Sequence, residues 1–248
     1  MPSSETRTPL AVITGAGSGI GLAVARRLLR EGTRVLAMAR RSEAPAALQD
    51  IAGDRLHWLA GDVTHREDLQ RLAELARELG PVDYLLPNAG IAQLADGLDE
   101  SAFAQQWAVN GAGALNTLRA LREQLARPAS VVFIGTFLSQ VTFPGLAAYI
   151  ASKSALRAQA RTLAVELAGE GVRINMVSPG PTATAIWGTL GLEASALESV
   201  AASVNQRLLG GQFLEAESVA DAIVFLLSDQ ARGIYGQDLI VDNGYTLR

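Results

Sequence analysis

Short apolar runs alternate with amphipathic stretches along nearly the whole chain. Pro9–Thr14, Arg34–Ala39, Arg55–Ala60, Val82–Leu86, Ser130–Gly135, Val172–Val177 and Asp238–Val241 are apolar with few interruptions, the pattern of strands covered on both faces. Between them, apolar residues recur at helical spacing over Ile20–Arg30, Glu43–Ile51, Arg66–Leu79, Ser101–Ala126, Ala151–Ala168 and Ser218–Leu227. Strand and helix in alternation predict a parallel sheet of about seven strands with helices on both faces, a doubly wound α/β fold. No low-complexity tract divides it, so residues 1–248 are expected to form a single domain. The stretch 181–212 departs from the rhythm: it has no strand pattern, several Gly and loosely spaced apolar residues, and predicts a helical lid. Folds of this class bind ligands in the loops at the carboxyl ends of their strands.

Composition removes several chemistries. With no Cys there is no disulfide framework, thiolate metal site or cysteine nucleophile, and two histidines, His57 and His65, are too few for a His-rich centre. No metal is therefore expected. A net charge of −4 with scattered arginines argues against a nucleic-acid or anionic-membrane partner. No apolar run approaches the ~18 residues of a membrane span. The polar start Met1–Pro9 lacks the pattern of a secretory signal, so a cytoplasmic location is expected. Of the 21 basic residues, Lys153 alone is Lys. An ammonium differs from a guanidinium in its adjustable pKa and its three rotatable donors.

After the first strand, Thr14-Gly15-Ala16-Gly17-Ser18-Gly19-Ile20-Gly21 opens directly into a helix. Glycine permits a tight turn and close approach to a pyrophosphate, and the helix start offers free N–H groups at Ser18, Gly19, Ile20 and Gly21. The commonest dinucleotide pattern, G-x-G-x-x-G, is not met, because Ile20 stands where its third Gly would be. A P-loop is also absent. At the end of the second strand come Arg40 and Arg41, with no carboxylate before Glu43. An Arg fork clasps a ribose 2′-phosphate that an acidic residue would repel, so NADP is favoured, with NAD the alternative. Asp62 and Val63, after the third strand, are placed to edge an adenine pocket. The small Asn88-Ala89-Gly90 turn after the fourth would let that strand end lie against the cofactor.

Tyr149 and Lys153 are four apart in a helical stretch and so share one face. A free phenol titrates at about 10 and is a poor base at neutral pH. An ammonium ~4 Å away, at an effective dielectric of ~20, is worth about 4 kcal/mol, roughly a thousandfold in favour of the phenolate. The expectation is a Tyr149 acidified into the working range of a proton donor and acceptor, with Lys153 also free to hold ribose hydroxyls. Spacing alone does not separate this from a solvated helix face. The small neighbours Gly145, Ala147, Ala148, Ala151, Ser152 and Ala155 favour a site.

Together, Thr14-Gly15-x-x-x-Gly19-x-Gly21, Asn88-Ala89-Gly90, Asn110, Tyr149-x-x-x-Lys153, Pro179-Gly180 and the closing stretch Gly236–Gly244 resemble the short-chain dehydrogenase/reductase family, compact branch. The resemblance implies a Rossmann-type fold and reversible hydride transfer between a nicotinamide cofactor and a carbonyl or secondary alcohol. It also implies Tyr149 as acid/base, Lys153 as its electrostatic partner and ribose ligand, and Asn110 as support for a water relay. Pro179 and Gly180 would flank the nicotinamide, with Thr182 meeting the carboxamide through its backbone and Thr184 through its side chain. Where the family has a Ser thirteen residues before the Tyr, this chain has Thr136, which can donate the same hydrogen bond but is stiffer at χ1. Ser139 is the alternative. This departure keeps a second reading open, a cofactor-binding sensor or scaffold with little catalysis. Pro87 and Asn243 also depart from the usual pattern, away from the chemistry. The apolar residues of the lid, with Phe137, Leu138 and Phe143, suggest an apolar or aromatic carbonyl substrate. The family is commonly tetrameric, so a homo-oligomer, tetramer or dimer, is expected.

Overall fold

The computed structural model describes residues 7–248; most of the polar opening read above as lacking a secretory signal, residues 1–6, lies outside the described residues. Seven strands, β1 (Leu10–Thr14), β2 (Arg34–Ala39), β3 (Leu56–Ala60), β4 (Val82–Pro87), β5 (Leu125–Ile134), β6 (Val172–Pro179) and β7 (Asp238–Val241), form one sheet. All are parallel, in the order β3-β2-β1-β4-β5-β6-β7. The order reverses between β1 and β4, which opens a crevice at their carboxyl ends. This is the doubly wound fold that the alternating pattern predicts.

The period-2 alternation of each strand feeds two cores. Leu10 and Val12 of β1 join Val131, Phe133 and Met176 beneath α3 (Arg66–Leu79), α5 (Ala114–Leu121) and α6 (Ala147–Glu166). Ala11 and Ile13 of the same strand join Val35, Ala37, Val132 and Val177 beneath α1 (Gly19–Arg30), α2 (Ala46–Ala52) and α8 (Ala216–Leu227). Among the described residues, no helix is long and apolar enough to cross a membrane.

Three boundaries differ from expectation. α2 begins at Ala46 rather than Glu43, because Pro45 disfavours helical backbone in the residue before it. The predicted helix over Ser101–Ala126 is instead α4 (Glu100–Trp107), a π-helical turn over Ala108–Gly113, and α5. Its last residues belong to β5, which starts at Leu125: Val82 pairs with Leu125 and Tyr84 with Ser130, so a bulge absorbs the polar Arg127-Pro128 interruption. Finally, α6 starts at Ala147, one turn earlier than the pattern suggested, which places Tyr149 in its first turn.

Arg173 is a buried cation inside β6, 8% exposed. Its guanidinium donates to the carbonyls of Leu226 (3.0 Å), Leu227 (3.2 Å) and Ser228 (2.9 Å), closing the carboxyl end of α8. Burial pulls its pKa below the ordinary value. Arg173→Met should lower the free energy of unfolding by about 2–4 kcal/mol in urea titration, because those carbonyls lose charged donors. A loss under about 0.5 kcal/mol would contradict this role.

Candidate active site

The carboxyl ends of the strands open into one cleft of about 620 Å3 that reaches from Arg40, Arg41 and Asp62 to Tyr149, Leu190 and Tyr245. At its centre, β1 turns through Gly15–Ser18 into α1. Gly15 adopts φ +69°, and a Cβ there would lie 2.8 Å from Ala89 Cα. The turn is thus pressed against the end of β4 and has no room for a side chain. Asn88 ties the two together: its N–H donates to Thr14 Oγ1 (3.1 Å) and its Nδ2 to the carbonyls of Thr14 and Gly15 (3.1 Å each). Asn88 therefore anchors the loop as well as lining the cleft. Thr14, which opens the glycine motif, accepts at Oγ1 from the N–H groups of both Asn88 and Ala89. Ser18 caps α1 without a side-chain hydrogen bond. The first N–H groups of that helix, with its positive end, suit a pyrophosphate, so the donor set here fits a dinucleotide.

At the adenosine end, Arg41 folds back under the glycine loop, its guanidinium 3.5 Å from the Gly17 carbonyl, while its own carbonyl accepts from Trp58 Nε1 (3.2 Å). Arg40 and Arg41 both line the cleft, as do Asp62 and Val63. Burial pushes the Asp62 carboxyl up, but hydrogen bonds from the Thr64 N–H (2.9 Å) and hydroxyl (2.8 Å), with His65 and Arg40 nearby, outweigh it and hold the group below the usual carboxylate range. Asp68, also missed in the sequence, accepts from the Asp62 N–H at 2.7 Å and so shapes this corner.

Tyr149 and Lys153 of α6, Asn110 of the π-turn and Thr136 just after β5 are brought together. Lys153 Nζ donates to the Ile134 carbonyl at the end of β5 (2.9 Å). Asn110 sits within the π-turn, where Oδ1 accepts from the Ile91 N–H (2.9 Å) and Nδ2 donates to the Ile91 carbonyl (2.9 Å) and to Ser152 Oγ (3.1 Å). Ser152 in turn donates to the Tyr149 carbonyl (2.7 Å), a link the sequence did not reveal. A Cβ on Gly90 would come 3.2 Å from Asn110 Oδ1 and 3.6 Å from Lys153 Nζ, so these side chains lie close against the β4 loop. Thr136 follows β5, 3% exposed, and lines the cleft. Ser139 Oγ is buried with no hydrogen-bond partner among the described residues, and Ser139 does not line the cleft.

The electrostatics correct one expectation. Burial raises the Tyr149 phenol above its ordinary value, opposed by a hydrogen bond with Thr136. Burial also lowers Lys153, from 10.5 to about 8. The Coulomb argument omitted desolvation, which acts on both groups here. In the ligand-free chain Tyr149 is a neutral phenol, the form that donates a proton.

On the far wall, Pro179, Gly180, Thr182 and Thr184 line the cleft, and Thr184 packs against Gly19, where a Cβ would meet it at 3.0 Å. The Thr182 carbonyl already accepts from Trp187 Nε1 (2.8 Å), which leaves its N–H as the backbone group open to a ligand. The expected lid stretch holds a 3-10 turn (Ala185–Thr189) and α7 (Ala194–Arg207), with a single β-bridge from Thr182 to Leu214. Thr189 clips the turn to the β4 loop, donating to the Ala92 carbonyl (2.7 Å) and accepting from its N–H (3.2 Å). Asn243, where the sequence departs from the usual pattern, has φ +51°, a left-handed conformation that Asn tolerates better than most residues.

The depressed Lys153 pKa makes a sign-definite prediction. Between about 8 and 10.5 the unfolded chain binds a proton that the folded one does not, so folding gains stability as pH rises through that window. Relative to Lys153→Met, the ligand-free wild type should therefore become more stable by on the order of 3 kcal/mol across it, read by urea titration at each pH. A flat difference would contradict the burial of the charge.

A family model described as Enoyl-(Acyl carrier protein) reductase matches residues 15–246. Carbonyl reductase [NADPH] 2 of Sus scrofa is 32% identical, over 95% of this chain and 95% of that protein. Glycine betaine reductase ATRR of Emericella nidulans is 35% identical over 92% of this chain, which spans 18% of that longer protein. A double-mutant short-chain dehydrogenase/reductase of Serratia marcescens superposes with a TM-score of 0.86 at 25% identity, covering 96% of this chain and 98% of that one. With its parallel seven-stranded sheet and its Tyr149–Lys153 pair beside a glycine turn, the chain belongs to the short-chain dehydrogenase/reductase family, oxidoreductases that interconvert alcohols and carbonyls with NAD(P).

Proposed function

We propose that this chain reduces an apolar or aromatic ketone, and oxidises the corresponding secondary alcohol, with NADPH favoured over NADH. The observation that carries the reading is the convergence of Thr136, Tyr149 and Lys153 on one wall of a cleft whose other arm ends at Arg40 and Arg41, with the buried Asn110 bonded to Ser152 behind that wall. A bound nicotinamide supplies or accepts the hydride. Thr136 Oγ1 and the Tyr149 hydroxyl hydrogen-bond the substrate oxygen. Tyr149, kept neutral by burial, gives that oxygen its proton during reduction and takes it back during oxidation. The Lys153 ammonium stabilises the phenolate left behind and binds the ribose hydroxyls, and Asn110 supports the path by which the proton is restored.

Residues 181–212 act as the lid, clipped by Thr189 over the substrate end. That end is apolar: Leu138, Phe143, Leu146, Ile186, Trp187 and Leu190 line it, with no basic cluster for a phosphorylated substrate. Arg40 and Arg41, with no acidic side chain beside them on β2, favour a 2′-phosphate. Phe103 on α4 (40% exposed) and Val165 on α6 (79% exposed) suit contact between copies in a cytoplasmic homo-oligomer, a tetramer or a dimer.

Tyr149→Phe should retain dinucleotide binding in calorimetry yet lose at least about a hundredfold in kcat, followed by absorbance of the reduced nicotinamide. Wild-type turnover by that variant would overturn the assignment of the acid. Binding of the dinucleotide with no turnover in the wild type, across a broad ketone panel, would point instead to a sensor. Arg41→Asp should lower the NADPH-to-NADH ratio of kcat/KM by about tenfold or more. An unchanged ratio would remove the case for NADP.

A further inference from the structure

The substrate end of the cleft is built from two apolar clusters that share Phe137 and Val141. The nearer one gathers around Tyr149, Leu138 and Leu190; the farther one gathers Val204, Leu208 and Tyr245. The charged side chains that line the cleft are Arg40, Arg41, Asp62 and Lys153; Arg207, which stacks on Tyr245 of the farther cluster, does not line it. Four side-chain hydroxyls line the same end: Thr136, Tyr149, Thr189 and Tyr245. Thr136 and Tyr149 serve the reacting oxygen in the function proposed above. Thr189 spends its hydrogen on the Ala92 and Ile186 carbonyls, at 2.7 Å each.

The Tyr245 hydroxyl is left, and among the described residues nothing takes it up. Its ring is nevertheless firmly held. Phe137 meets it edge-on with centroids 4.9 Å apart, and the Arg207 guanidinium lies 4.4 Å from its centroid. Arg207 is itself fixed on α7 by Nε donating to the Arg248 carbonyl (3.1 Å). The backbone around Tyr245 is tied down by Asp242, whose carboxylate accepts from the N–H groups of Gly244 (3.0 Å) and Thr246 (2.8 Å). A fixed ring carrying an unpaired hydroxyl in an apolar pocket is a preorganised polar contact, the kind that sets ligand orientation.

We propose that Tyr245 is a specificity-determining residue that hydrogen-bonds a neutral oxygen (a hydroxyl, an ether or a second carbonyl) at the end of the substrate remote from the reacting carbonyl. This rests on the ketone-reductase reading. Phe137, whose ring packs edge-on against Tyr245, follows Thr136 directly in the chain, and all three line the cleft. The substrate class is thus an uncharged carbonyl compound with an apolar body and a distal oxygen.

The test uses the full chain with NADPH and a series of aryl ketones bearing, at increasing distance from the carbonyl, either a hydroxyl or a methyl, plus a carboxylate member. At one distance the wild type should prefer the hydroxyl over the methyl compound, and Tyr245→Phe should reduce that ratio of kcat/KM about tenfold. No preference at any distance, the same ratio in both proteins, or preference for the carboxylate would overturn the proposal while leaving ketone reduction intact. Dinucleotide binding in calorimetry with reduction of no member would overturn the reaction itself, and the proposal with it.

Discussion

A single ammonium is held where burial disfavours its charge, and the surrounding structure converges on it. Lys153 is the chain's one lysine, and its nitrogen donates to the carbonyl that ends β5. Reaching that carbonyl requires α6 to start early enough to bring its first turns over the sheet. Beside it, Gly90 lies close to both Lys153 and Asn110, and Asn110 holds the β4 loop from a π-turn. Such a turn places one extra residue per helical cycle and is frequent at functional positions. A hydrophobic replacement would suit this place better for folding alone, so the cation marks a position where stability yields to chemistry.

The fold arranges two unlike environments along one cleft. On one side of the switch point between β1 and β4, the free amides of α1 and the arginines after β2 make a positive groove. On the other, the 3-10 turn and α7 cover an apolar space with a few fixed hydroxyls. Asn88 joins the halves, since it fastens the β4 end to the glycine turn. In the proposed reaction, this division lets one part of the cleft hold anionic groups while the other excludes water from a neutral substrate.

Much of this was legible in the sequence because it rests on local patterns. Buried parallel strands are apolar runs, and β2 and β7 fall where the pattern places them. The glycine turn, the Tyr149–Lys153 pair and Thr136 occupy the cleft as their spacing and strand-end positions suggested. What escaped depends on contacts distant in the chain. The bulge that extends β5 back to Leu125 is set by pairing with β4, and the break in the long helix by Asn110 bonding to Ile91. The roles of Ser152, Thr189 and Asp68 are likewise visible only once their partners are in place. The raised phenol of Tyr149 was missed because spacing reports proximity and is silent about desolvation.

Because Lys153 is the only lysine, its ionisation can be followed without assignment ambiguity. Selective isotope labelling of lysine and NMR titration of the ligand-free chain would report its side-chain resonance directly. Burial beside the Ile134 carbonyl predicts a midpoint at about 8, whereas a midpoint at the ordinary 10.5 would contradict a desolvated ammonium at the centre of this site.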